Sequence, residues 1–193
     1  MADLNFSAAA SYRISGAFGL LSSARLAVVA EEAGTPVLHE MRRLVSSMGG
    51  LRGQVSPGDL PAVQRFVDDV PVLDDPVSPI YFSCTAAMIA ADSMMERSDS
   101  PERLAWRLSS NAMNAWDSCD RILRRTPKVA NRLYEEMGAT LREKEEDMQR
   151  DVLRRLANAP DVGEVYSAML RTVEADQAYM KPIAITLSRN AGW

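Results

Sequence analysis

Residues 79–97 read PIYFSCTAAMIAADSMMER, and Ser78-Pro79 stands at their start. Ile80, Tyr81, Phe82, Cys84, Ala86, Ala87, Met88, Ile89, Ala90, Ala91, Met94 and Met95 occupy almost every side of a helix drawn through this stretch. A helix that is apolar nearly all round is a buried one. The stretch therefore predicts an all-α fold: a single compact multi-helix domain, residues 1–193, with a buried apolar central helix.

Working outward, the same punctuation recurs. Thr35-Pro36, Ser78-Pro79, Ser100-Pro101 and Thr126-Pro127 each put a hydroxyl residue before a proline and an apolar-periodic stretch. The hydroxyl can accept from an orphan amide of the first turn, and proline surrenders no hydrogen bond at that position. Helices are expected over residues 12–33, 36–48, 61–68, 79–97 and 101–124, with one long helix after Thr126 running to about residue 157. A last helix opens with the capping box Asp161-Val162-Gly163-Glu164. Ile183-Ala184-Ile185-Thr186-Leu187 is the one weak strand candidate. The run Glu143-Lys144-Glu145-Glu146-Asp147 reads as a solvated face. Glu146 with Arg150 and Asp151 with Arg155 form i,i+4 pairs that suit an exposed helix.

The composition excludes several function classes. With 47% hydrophobic and 25% charged residues among 193, global disorder is not expected. A net charge of −4 disfavours a general nucleic-acid binder. Residues 14–30 are the most apolar run, but Gly16, Gly19, Ser22, Ser23 and Arg25 interrupt it, so it does not read as a membrane span. Met1 to Tyr12 lacks the basic and apolar regions of a secretory signal. The expected compartment is the cytoplasm.

Catalytic motifs are sparse. The single histidine, His39, has Arg42 at i+3 and Thr35 and Arg43 at ±4, which is no metal-binding spacing. It reads as a solvated helix residue. Gly49-Gly50-Leu51-Arg52-Gly53 lacks the ending of a phosphate-binding loop, and no Gly-x-Ser-x-Gly occurs. Cys84 and Cys119 sit in helical patterns and read as inert core thiols.

Two clusters remain. Asp68, Asp69, Asp74 and Asp75 lie in a loop framed by Pro71 and Pro76. Converging carboxylates can hold Mg²⁺ or Ca²⁺ or meet a partner's basic side chains; Asp is also common at caps and turns. Arg121, Arg124, Arg125, Lys128 and Arg132 form a basic cluster that can bind an anion or simply complement a helix C-terminus.

The Val70-Pro71…Asp74-Asp75 loop, followed by Tyr81 and the Ala-rich helix around Cys84-Thr85-Ala86-Ala87, resembles the YjaG-like family of bacterial all-helical proteins. There a similar Ile-Pro…Asp-Asp loop precedes a Tyr-bearing, Asp-Ala-rich helix. The ending Ser188-Arg189-Asn190-Ala191-Gly192-Trp193 is also similar. Pro76 departs from an expected aromatic, and Ser83 or Thr85 stands where the family helix carries an acid. The resemblance implies an all-helical cytoplasmic fold and names no activity.

The expected function is a non-catalytic helical domain that binds another protein, as an immunity-type inhibitor or regulatory adaptor does, through Asp68, Asp69, Asp74 and Asp75. A second copy of the chain is an admissible partner. No cofactor or metal is assigned. The alternative is a metal-dependent hydrolase using the same acidic loop.

Overall fold

Ser11 opens the first long helix: its hydroxyl oxygen accepts from the Ile14 amide at 3.3 Å. The computed structural model describes residues 6–9, 11–32, 85, 88, 89, 92, 93 and 100–191. A short 3₁₀ turn, Phe6–Ala8, leads into α1, Tyr12–Glu32. From Ser15 to Val29, every residue of α1 except Ala24 is buried. Small residues make that burial possible. Ser15 Oγ donates to the Pro101 carbonyl at 2.7 Å, and a Cβ placed on Gly16 would lie 2.6 Å from the Ser93 carbonyl oxygen. A Cβ on Gly19 would overlap Ser93 Oγ and reach within 2.7 Å of Leu108 Cδ1. The glycines serve close approach between helices, as glycine does wherever backbones must meet.

This gives a first prediction. Gly19→Ala gains about 1 kcal/mol of helix propensity, but overpacking a filled interior costs about 1–3 kcal/mol. Ser93 has little freedom to yield, because its hydroxyl donates to the Ile89 carbonyl at 2.6 Å. The variant should unfold at lower urea concentration with an unchanged m-value. An unaltered or raised midpoint would show that α1 and the Ser93 helix are not in this register.

Among the described residues, five long helices pack around one apolar cluster. Helix α2, Pro101–Leu123, begins at Ser100, whose side chain accepts from the Arg103 amide, as the Ser-Pro pattern predicts. Its buried stripe runs through Leu104, Leu108, Ala112, Ala115, Cys119 and Ile122. Helix α3, Pro127–Met137, follows Thr126, which makes no side-chain cap bond. The long helix expected from Thr126 to residue 157 is in fact two. Gly138 adopts φ 69°, a left-handed conformation that ends α3, and Thr140 starts α4, Leu141–Ala157. Thr140 and Glu143 form a full capping box, and those bonds hold the Glu143 carboxyl below its ordinary pKa. The break was written in the sequence as Gly138 followed by Thr-x-x-Glu.

Helix α5, Val162–Ala191, starts where Asp161 Oδ1 accepts from the Gly163 amide at 2.6 Å. It absorbs residues 183–187, the weak strand candidate, whose Ile183, Ala184 and Leu187 are buried. Among the described residues there is no strand. Helix α1 packs against α2, α4 and α5 and is the buried apolar helix at the centre of the described fold. Residues 79–97, expected in that role, lie mostly outside the described residues. Of those described, Ile89 is fully buried and Met88 is 43% exposed. No helix among the described residues is long and apolar enough to cross a membrane.

Candidate functional site

A charge inside a buried helix needs a partner, because an isolated ion in the interior is too costly to keep. Arg25 is that charge in α1, and its partner is Glu145 of α4; they are 6% and 2% exposed. Arg25 Nε donates to Glu145 Oε2 and Nη2 donates to Oε1, both at 2.7 Å. One turn along α4, Gln149 Nε2 donates to Glu145 Oε1 at 2.7 Å. Gln149 Oε1 in turn accepts from Ser109 Oγ of α2 at 2.5 Å. The chain Arg25–Glu145–Gln149–Ser109 ties three helices together through charge-assisted and neutral bonds.

The Arg25–Glu145 pair also forms part of the wall of a cavity of about 310 Å³. The rest of the wall is mainly apolar: Met137, Leu141, Met148, Val173, Met180 and Val28. Trp116, 2% exposed, adds an aromatic face. Lys144 and Glu136, both exposed, mark the rim. Among the described residues, Arg25 Nη1 and Trp116 Nε1 are fully sheltered donors with no hydrogen-bond partner. Methionine adapts its shape to what it contacts, so a wall carrying three of them suits a ligand seat. An apolar cavity with a few placed polar groups is the usual form of a small-molecule site.

The solvated-face reading of residues 143–147 is corrected at Glu145. Glu143, Lys144 and Asp147 are exposed, and Glu146 is intermediate, but Glu145 is among the most buried side chains of α4. A signal was present: Leu141, Glu145, Gln149, Val152 and Leu156 lie on one helical stripe. Arg25 inside the apolar run of α1 was its counterpart.

The acidic cluster, Asp68, Asp69, Asp74 and Asp75, lies outside the described residues, as do His39 and Cys84. The basic cluster is described and does not form one face. Arg121 on α2 pairs with Asp117 at 3.5 Å, while Arg132 on α3 pairs with Glu136 at 2.9 Å. Arg124 and Arg125 sit in the turn between the helices, and all five cations are exposed. Cys119 is fully buried, and burial followed by the neighbouring Asp120 charge pushes its thiol pKa well up. That is the setting of an inert thiol.

Among the described residues, no group of three or more His, Cys, Asp or Glu side chains is placed to hold a metal ion. Comparison of the chain with protein-family models, with curated proteins and with solved structures finds no match.

Proposed function

We propose that this chain is a binding domain whose methionine-lined cavity receives a small apolar ligand. The observation that carries the reading is the cavity itself, about 310 Å³ set among α1, α2, α3, α4 and α5 with one polar edge at Arg25 and Glu145. An apolar cavity of 150 Å³ accommodates benzene, so by proportion this one suits about twelve heavy atoms. Burial of that much apolar surface supplies the affinity, and the polar edge orients what enters.

Pentylbenzene is a suitable first probe. It should bind once per chain in calorimetry and raise the melting temperature with concentration, as any ligand of the native state does. Met148→Trp, which fills the cavity from its wall, should abolish both effects. Equal responses from the wild type and the filled variant would place the ligand elsewhere and end this reading.

A protein partner, the function expected from the sequence, is the second reading. Trp106 on α2, 58% exposed, favours it, since tryptophan is a common anchor of protein interfaces.

A further inference from the structure

We infer that the cavity selects an uncharged aromatic ring over a saturated ring of the same size, through the thioethers of Met137, Met148 and Met180. This rests on the cavity being the binding site and adds the chemical class of what fills it.

The three methionines reach the cavity from three different helices: Met137 from α3, Met148 from α4 and Met180 from α5. Met137 is buried, and Met148 and Met180 are partly buried. A thioether is polarisable and gains from contact with an aromatic ring, often at the ring edge. A saturated ring has no quadrupole to answer it. Trp116 of α2 lines the same space, and aromatic pairs gain beyond their buried area when offset or edge-to-face. Val28, Leu141 and Val173 complete the apolar wall and do not discriminate between the two rings.

Charge fixes the rest of the class. Arg25 is neutralised by Glu145 across two bonds, and at the rim Lys144 and Glu136 carry opposite signs. The lining therefore has no net charge. A charged ligand would give up its hydration without gaining a free counter-ion, which an uncharged ring avoids.

The test pairs 4-phenyl-1-butanol with 4-cyclohexyl-1-butanol, which differ only in the ring, in calorimetric titrations of the full chain. Apolar burial alone favours the saturated ring, which carries more hydrogens out of water. Comparing the ratio of the two affinities between protein variants cancels that difference. Leu for Met conserves volume and is among the best-tolerated core exchanges. Met148→Leu/Met180→Leu should shift the ratio about tenfold toward the cyclohexyl probe, since each thioether–ring contact is worth about threefold. Each single variant should shift it about threefold, so the singles decide the matter if the double variant does not fold. Met169→Leu, on α5 but outside the lining, should leave the ratio unchanged. An equal ratio in the wild type and in the Met148 and Met180 variants, with both probes binding, overturns the aromatic assignment and leaves the cavity in place. Failure of both alcohols and of pentylbenzene to bind the wild type overturns the cavity reading itself.

Discussion

Glu145→Ala should destabilise the protein by about 3–5 kcal/mol, because it strands Arg25 as an unpaired charge in the interior. Arg25 is 6% exposed, and two of its nitrogens donate to Glu145 at 2.7 Å. Removing the carboxylate also takes an acceptor from Gln149. For a chain of this size the loss corresponds to a melting temperature lowered by about 6–20 °C. The pair itself adds little net stability, since desolvating both ions offsets most of their attraction. The double variant Arg25→Met/Glu145→Leu should therefore melt much closer to the wild type than Glu145→Ala does. A single variant that melts with the wild type would mean that the pair is solvated.

Asp120→Ala is the second large loss. Asp120 is 1% exposed near the end of α2 and joins three helices. Its Oδ1 accepts from the Tyr134 hydroxyl at 2.9 Å and from the Leu141 amide at 3.0 Å, and Oδ2 accepts from the Arg142 amide at 3.0 Å. The two amides open α4, where no intrahelical acceptor exists and a negative charge is favoured. Leaving three sheltered donors unmet should cost about 2–4 kcal/mol in thermal or urea unfolding. Asp120→Asn should resemble Ala more than the wild type, because its NH₂ would face a donor.

The same cluster sets a pH dependence. Burial, then the Asp120 charge and hydrogen bond, raise the Tyr134 pKa above its ordinary value. A raised folded-state pKa contributes stability that is complete below the unfolded tyrosine value of about 10 and is lost as pH rises above it. Alkaline destabilisation should be steeper in the wild type than in Asp120→Ala, where burial of Tyr134 persists but the neighbouring anion is gone.

Element types were legible because they rest on local chemistry. Ser100 before Pro101 and the apolar stripe of α2 were sufficient to place that helix. The Gly138–Thr140 break was legible too, but the continuing apolar stripe of Leu133, Met137 and Leu141 concealed it. Burial was harder. Helix α1 mixes Ser, Gly and Arg into its apolar run, and its depth comes from neighbours that only the tertiary fold supplies. Glu145 illustrates the limit: flanked by four charged residues, it looks solvated until Arg25, far away in sequence, is seen beside it. The cavity has no sequence motif, because its wall is assembled from five helices, α4 giving four residues and each of the others one or two.

The most direct measurement is the indole Nε1–H resonance of Trp116 in a ¹⁵N-labelled sample titrated with pentylbenzene. The cavity account predicts a saturable shift of that resonance, abolished in Met148→Trp, with the exposed Trp106 signal unmoved. A Trp116 resonance that stays still while Trp106 responds would contradict it.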